Sequence, residues 1–337
     1  MKVLLLRFSS IGDIVLTTPV IRALKTNLDN PEIHYATKSK YAMILAENPY
    51  VDKIHELGSS LNALIKQLKS SKFDYIIDLH NNLRTWQIKQ RLGVKSSTYS
   101  KLNFQKWLLV NLKVDLMPNK HIVDRYLATL EPLNIVGDTL GLDHFIPEKD
   151  EVDINWLPGE FKNGYVAIVI GATYATKKLP LPRLIELCDR INQPVVLIGG
   201  QEDQEVGNEI SRFFERTVEN EQFESTLQKD LGKRASVFNA CGKFNFNQSA
   251  SLIKQASLVF THDTGMMHIA AAFKKKVYSI WGSTTPSFGM YPYRTQYVVF
   301  ENKNLSCRPC SKIGHNKCPK GHFKCMKNVV FDFYLPS

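Results

Sequence analysis

Short apolar runs alternate with helical patterns along almost the whole chain. Apolar runs of about four to eight residues are typical of buried parallel strands, whereas surface helices show apolar positions every three or four residues. In the first half we predict strands at 2–8, 32–37, 53–57 and 73–79 and helices at 14–28, 39–47 and 61–68. This alternation predicts parallel sheets covered by helices, which is an α/β fold.

The same rhythm restarts after a stretch that lacks periodicity. Residues 137–160 are rich in glycine, proline and acidic residues, a composition typical of a connection between domains. Beyond them we predict strands at 165–170, 194–198, 257–260 and 277–281 and helices at 181–191, 248–256 and 266–273. Because 337 residues are enough for two domains, we place a boundary near residue 155, between domains of residues 1–155 and 156–337.

The clearest chemical signal lies in the turn before the helix at 266–273. This turn contains Asp263, Thr264 and Gly265. The first N–H groups of a helix have no partner within the helix and carry partial positive charge, so the turn predicts an anion site. His268 follows one helical turn after Thr264, near the same face. The alternative is that Asp263 caps the helix and His268 packs in the core, and these residues alone leave both readings open.

A similar strand, turn and helix open the chain. Gly12 and Asp13 lie in the turn after the first strand. In doubly wound sheets, ligands bind at the carboxyl ends of the strands, so Asp13 is a candidate for chemistry in a cleft. The alternative is that its charge only stabilises the start of the helix.

These motifs together resemble glycosyltransferase family 9, the ADP-heptose:lipopolysaccharide heptosyltransferases. The likeness is carried by the opening stretch LRFSSIGDIVLTTPVIRALK and by D-T-G-x-x-H followed by G-x-T-x-P, which ends at Pro286. Met266 stands where many members have proline. The resemblance implies the GT-B fold, in which two doubly wound, Rossmann-like domains face each other across a cleft. It also implies that the N-terminal domain binds the acceptor and the C-terminal domain binds the nucleotide-sugar donor.

The resemblance also assigns roles to single residues. Asp13 would be the general base that deprotonates the acceptor hydroxyl. The donor-binding residues that it implies are Thr173, Lys177, Glu202, Asp203, Asp263, Thr264, Gly265 and His268, and the acceptor-binding residues are Gly12, Arg84 and Arg125. Because the loop before Pro180 aligns in two ways, Lys178 is an alternative to Lys177 for contacting the donor phosphate. The chain has no D-x-D sequence suited to a magnesium–diphosphate clamp, so we expect catalysis without a metal or other cofactor.

Charge and composition narrow the partners. A net charge of +11 suits an anionic partner. Lysine and arginine are spread along the chain without an RNA-binding signature, which favours a phosphorylated glycolipid or an acidic membrane face over nucleic acid. No run approaches the ~20 apolar residues of a membrane helix, and the opening strand does not resemble a signal peptide. We therefore expect a bacterial cytoplasmic protein, peripheral at the inner membrane, without a transmembrane segment.

A cysteine-rich segment occupies residues 305–326. One C-x-x-C pair and two further thiols make a candidate structural zinc site, formed by Cys307, Cys310, Cys318 and Cys325. A disulfide is disfavoured in a reducing cytoplasm. The acid and base candidates lie elsewhere, so we expect no catalytic role for these thiols.

The function that follows is sugar transfer. We predict an inverting transferase that moves a heptose or a similar sugar from a nucleotide sugar to a lipopolysaccharide or lipooligosaccharide core acceptor, with ADP-heptose as the donor that the resemblance implies. One alternative is a nucleotide-sugar epimerase or dehydrogenase, although Gly12 stands alone where a G-x-G-x-x-G turn is needed. Another is a non-catalytic basic binding protein with a cysteine-rich zinc site.

Overall fold

A five-stranded parallel sheet forms the centre of the first half. The computed structural model describes residues 1–223 and 235–335. The strands of the first sheet are β1 Lys2–Leu6, β2 Glu32–Lys38, β3 Lys53–Leu57, β4 Tyr75–Asp78 and β5 Ser96–Thr98. Their order is β3-β2-β1-β4-β5, with parallel pairing throughout. The central strand β1 is buried on both faces, which explains why it appears in the sequence as an uninterrupted apolar run.

Seven helices accompany this sheet in the described residues. They are α1 Ile11–Val15, α2 Thr18–Asn27, α3 Ser39–Ala42, α4 Leu61–Ser70, α5 Leu83–Leu92, α6 Asn103–Asn111 and α7 Ile122–Leu127. The single helix predicted at 14–28 is wrong, because the chain turns at Thr17 and starts a new helix. Pro19 then lies in the first turn of α2, where its missing N–H costs no helical hydrogen bond.

The second half contains a six-stranded sheet of the same design. Its strands are β6 Val166–Val169, β7 Val195–Ile198, β8 Val237–Asn239, β9 Leu258–His262, β10 Lys276–Trp281 and β11 Tyr297–Glu301. Its helices are α8 Leu181–Ile191, α9 Gln204–Phe223, α10 Phe246–Gln255, α11 Gly265–Ala272 and α12 Lys324–Lys327. The strand order is β11-β10-β9-β6-β7-β8, again parallel. The α/β prediction is therefore confirmed for both halves.

Both sheets have a topological switch point, at which the order of connection reverses. It lies between β1 and β4 in the first sheet and between β6 and β9 in the second. Ligands bind at the carboxyl ends of the strands at such points. The predicted boundary near residue 155 falls between the two sheets, among short 3-10 turns, and its precise position stays a prediction.

Some elements are predicted too long or not at all, because they lack a clear apolar pattern. The helix predicted at 39–47 is only the single turn α3. Two of the missed strands, β5 and β8, are three residues long and lie at sheet edges. In the part of the chain that the structure describes, no helix is long and apolar enough to cross a membrane.

Candidate active site

One cavity of about 570 Å³ lies where the switch points of the two sheets meet. Residues that follow the central strands of both domains line it: Ser10, Gly12, Asp13 and His80 from the first domain, and Thr173, Asp263, Thr264 and Gly265 from the second. The turns that the sequence singled out therefore face one another, because each lies at the carboxyl edge of its own sheet.

In the first domain, the Asp13 carboxylate is fixed by an ion pair and hydrogen bonds but remains partly exposed. Asp13 Oδ1 lies 2.6 Å from Arg7 Nη2, and Asp13 Oδ2 accepts hydrogen bonds from Ser10 N at 3.1 Å and Ser10 Oγ at 2.8 Å. Burial acts to raise the pKa of Asp13, but the Arg7 charge and the Ser10 hydrogen bonds outweigh it and lower that pKa. The side chain remains 19% exposed, so an ionised carboxylate faces the cavity.

Arg7 is fixed by the backbone around it. Its Nε donates to Ser9 O at 2.7 Å and its Nη1 donates to Leu79 O at 2.6 Å. His80 lies nearby, and burial together with the Arg7 charge lowers the pKa of His80 to about 4. The imidazole is therefore neutral at neutral pH, and the cationic partner of Asp13 is Arg7.

The second domain places Lys177 beside the start of α11. Asp263 Oδ2 pairs with Lys177 Nζ at 2.6 Å and accepts a hydrogen bond from Thr284 Oγ1 at 2.8 Å. Thr264 is the N-cap of α11, but its side chain makes no capping hydrogen bond. The first N–H groups of α11 are therefore available to a ligand, with the Lys177 ammonium beside them.

The two adjacent lysines that the sequence left unresolved have different positions. Lys177 lines the cavity, whereas Lys178 pairs with Asp203 at 2.6 Å and does not line it. Asp203 is buried and also accepts a hydrogen bond from Gly200 N at 3.0 Å. Glu202 is exposed, and neither it nor Asp203 lines the cavity.

His268 lines the cavity from α11 as a buried, neutral imidazole. It is 2% exposed, and within the described residues its Nδ1 has no hydrogen-bond partner. Burial lowers the pKa of His268 to about 4, although Asp263 and Asp13 act to raise it. A neutral imidazole donates one hydrogen bond and accepts another, which suits a ligand that carries both phosphate and hydroxyl groups.

The three predicted acceptor residues occupy three different environments. Gly12 lines the cavity, where α1 packs on α11. Arg84 is exposed at the start of α5 and does not line the cavity. Arg125 is buried and lines a neighbouring cavity of about 330 Å³, which shares Tyr99 with the first. Its Nη2 donates to Phe288 O at 3.0 Å, while its Nε and Nη1 have no partner among the described residues.

Sequence reasoning missed three lysines that also line the cavity. Lys101 and Lys106 flank the start of α6, and Lys312 belongs to the cysteine-rich segment. Burial and the Arg125 charge lower the pKa of Lys106 to about 8. No motif marks these residues, and the only signal is the excess of lysine over acidic residues in their segments.

The cysteine-rich segment packs against the donor-side turns of the cavity. Cys310 N donates to Ser283 O at 2.9 Å, and His315 N donates to Thr176 Oγ1 at 2.8 Å. Burial and the neighbouring Cys307 raise the pKa of the Cys310 thiol. Across residues 1–223 and 235–335, no group of three or more metal-ligating side chains is arranged to hold an ion. The structural zinc site stays a prediction.

Comparison with known proteins agrees with this geometry. The family model described as glycosyltransferase family 9 (heptosyltransferase) matches residues 61–320. Lipopolysaccharide heptosyltransferase 3 of Escherichia coli K12 is 25% identical over 320 residues, which cover 88% of this chain and 87% of the relative. Lipooligosaccharide heptosyltransferase 2 of Haemophilus influenzae is 26% identical over 320 residues, covering 86% and 85%.

A solved structure extends the comparison to the fold. The chain is similar to E. coli ADP-heptose lps heptosyltransferase II, with a TM-score of 0.66 and 19% identity, over 97% of this chain and 98% of that one. This likeness and the two facing sheets confirm the predicted GT-B fold.

Proposed function

The chain belongs to glycosyltransferase family 9, and we propose that it transfers a heptose from ADP-heptose to a lipopolysaccharide or lipooligosaccharide core acceptor, with inversion at the anomeric carbon. The observation that carries this proposal is a single cavity that has Asp13 on one side and Lys177 with the start of α11 on the other. The choice of donor and acceptor is supported by the similarity to the E. coli and H. influenzae enzymes.

The leaving group is assigned to the second domain. As the bond between the anomeric carbon and the diphosphate breaks, negative charge develops on the diphosphate oxygen. Lys177 and the open N–H groups of Gly265 and Met266 stabilise this charge, and Thr173 and His268 supply hydrogen bonds. A bound diphosphate competes with Asp263 for Lys177, which frees the Asp263 carboxylate to accept hydrogen bonds from sugar hydroxyls.

The attacking hydroxyl is assigned to the first domain. The acceptor oxygen attacks the anomeric carbon from the side opposite the diphosphate and passes its proton to Asp13. One displacement with one carboxylate on the acceptor side inverts the anomeric centre. The lowered pKa of Asp13 makes it a weak base towards a free alcohol. Its proton transfer therefore belongs late in the reaction, when partial bonding to the anomeric carbon has made the hydroxyl acidic.

The acceptor is expected to be anionic. Besides Arg7 and Lys177, three lysines line the cavity: Lys101 and Lys106 from the first domain, and Lys312, whose Nζ donates to Asn103 O of α6. Lys101 and Lys106 are partly buried, and a cation that is withdrawn from water is costly unless an anion pairs with it. Phosphate or carboxylate groups of a core oligosaccharide provide that pairing, and Arg125 in the neighbouring cavity is a further candidate to hold one.

The Asp13→Asn variant tests the proposal, because asparagine keeps the shape of the side chain and cannot accept the proton. We expect kcat to fall by about 10²- to 10⁴-fold, while the affinity for ADP-heptose, measured by calorimetry, stays within about twofold because donor contacts lie on the other domain. Asp52→Asn is the matched control, since Asp52 pairs with Lys25 at 2.7 Å and does not line the cavity. An Asp13→Asn enzyme with undiminished transfer would refute the assignment of the base.

The identity of the donor base needs a separate test. Thermal shifts with ADP-, UDP- and GDP-sugars report binding, because a ligand that binds the folded state raises its apparent stability. The proposal expects the largest shift with an ADP-sugar. A larger shift with a UDP- or GDP-sugar would contradict the donor while leaving sugar transfer in place.

A further inference from the structure

The segment around α6 carries several large apolar side chains that are exposed to solvent. Of α6 itself, only Leu109 is buried. Five large apolar side chains of this segment are between 45% and 66% exposed: Phe104, Trp107, Leu112, Val114 and Leu116. We call these five residues the α6 face. Single apolar side chains on a surface are common, but five within thirteen residues indicate a surface that meets another apolar phase.

A strongly basic segment lies directly beside the α6 face. Lys113 Nζ donates to Cys307 O at 3.2 Å and Pro309 O at 2.7 Å, and Lys312 Nζ donates to Asn103 O at 3.3 Å. These bonds join the α6 segment to residues 302–331, which contain seven basic residues and no acidic residue. All six of their lysines are exposed: Lys303, Lys312, Lys317, Lys320, Lys324 and Lys327.

The same surface reaches the mouth of the catalytic cavity. Asn103 and Lys106 of α6 line the cavity, as do Lys312 and the exposed Ile313. Phe104 and Trp107 are not part of that lining and point to solvent. A surface that holds a lipid at the α6 face therefore holds the attached head group beside the cavity entrance.

We propose that the α6 face inserts into the interface of an anionic bilayer, with the lysines of residues 302–331 lying over the lipid phosphates. Apolar insertion and a basic patch are the two signals that together give stable attachment of a peripheral protein. The purpose of this attachment rests on the proposed function, because a lipid-anchored acceptor would then present its sugar to Asp13 without leaving the membrane.

The positive charge of residues 302–331 disfavours a second copy of the chain, or another protein, as the partner of the α6 face. A second copy of the chain in a symmetric contact would bring two basic segments together, and like charges repel across such a contact. A protein partner would need a face that is both apolar and acidic. An anionic bilayer supplies both properties over any area, so it is the occupant that the surface fits best.

Vesicle binding tests the proposal directly. We compare vesicles of phosphatidylethanolamine and phosphatidylglycerol with vesicles of phosphatidylcholine alone, using the full chain. The double variant Phe104→Ser/Trp107→Ser should bind the anionic vesicles about tenfold more weakly or worse, because it loses two inserted aromatic side chains. Trp156→Ser is the matched control, since Trp156 is even more exposed than Phe104 and Trp107 but lies outside the α6 face. It should bind as the unmodified chain does.

A second variant tests the charge independently of the apolar contact. Lys317→Ser/Lys320→Ser should weaken binding to anionic vesicles by about fivefold for each lysine, and binding should fall as salt is raised. The proposal is overturned if the unmodified chain does not bind anionic vesicles, or if Phe104→Ser/Trp107→Ser binds them as tightly. It is also overturned if that variant only loses self-association in light scattering, because the face then joins copies of the chain.

The failure of this proposal is distinguishable from failure of the proposed function. With a soluble acceptor that lacks acyl chains, Phe104→Ser/Trp107→Ser should keep its transfer rate, because neither residue lines the cavity. With the acceptor embedded in vesicles, its rate should fall as its binding falls. If even the unmodified chain does not transfer sugar to the soluble acceptor, the proposed function is wrong. The vesicle result still decides the membrane contact.

Discussion

The contact between the two domains at Gly12 leaves no room for a side chain. A Cβ added at Gly12 would lie 2.7 Å from His268 Cδ2 and 3.2 Å from Gly265 Cα. Carbon atoms in ordinary contact are about 3.5–4.0 Å apart. His268 is buried, and the contact with Gly265 is with backbone, which has no side-chain rotation to relieve it. Gly12→Ala should therefore force α1 and α11 apart and widen the gap between acceptor and donor sites.

The cost can be estimated from overpacking. Inserting a methyl group into a well-packed contact costs about 1–3 kcal/mol, which is roughly 5- to 150-fold if the whole cost falls on closing the domains. Within α1 alone, alanine is the better helix former by about 1 kcal/mol. We therefore expect kcat/KM to fall by about tenfold or more, with little loss of thermal stability.

Steady-state transfer and thermal unfolding on the same preparation separate these effects. Gly58→Ala is the matched control, because nothing lies within 4 Å of a Cβ placed there. It should leave kcat/KM unchanged. If Gly12→Ala performs within about twofold of the unmodified enzyme, either the domains do not close through this contact during catalysis or closure tolerates the added methyl group, and the reasoning fails.

Two further predictions concern charge. Lys177→Ala should weaken ADP-sugar binding by about 10- to 100-fold, the usual loss of a charge-assisted hydrogen bond, whereas Lys178→Ala should lower thermal stability by releasing Asp203 and change binding by less than about threefold. Calorimetry measures both, and equal losses would contradict the different positions of the two lysines. His121, His262 and His268 are buried, and burial lowers their pKa values to about 3, 4 and 4. The unfolded chain, with histidine pKa values of about 6.5, binds more protons than the folded chain between pH 6.5 and 4. Urea unfolding should therefore show a free energy of unfolding that falls as pH drops through this range, and a constant value would contradict this prediction.

The sheets and the turns at the cavity could be predicted because local patterns determine them. The apolar runs at β1, β6 and β9 indicate buried parallel strands, and parallel strands bring their carboxyl ends to one edge. Asp13 and Asp263 could therefore be placed at ligand-binding edges from sequence alone. That the two edges face each other is long-range information, and it came from the family resemblance.

Contacts between distant segments could not be predicted in the same way. Asp203 follows a strand, as a ribose-binding carboxylate does, but its side chain turns inward to Lys178 and Gly200 N. Lys106 and Lys312 are 206 positions apart and meet at the cavity only because the cysteine-rich segment packs beside α6. No pattern of apolar and polar residues within one segment carries this information.

The charges around the cavity bear on the proposed role of Asp13 as a base in a strongly basic site. Five cationic side chains and two carboxylates line it, and each carboxylate already has its own cation, Arg7 for Asp13 and Lys177 for Asp263. The positive charge of Lys101, Lys106 and Lys312 is left for the ligands. Under the proposed function, two anionic substrates would neutralise the site in stages: the diphosphate would take Lys177 from Asp263, and the acceptor would take the lysines around α6. Asp13 keeps Arg7 throughout, because backbone carbonyls hold that arginine in place. The Asp13 carboxylate is therefore held in one orientation without a substrate, as its proposed role as the base requires.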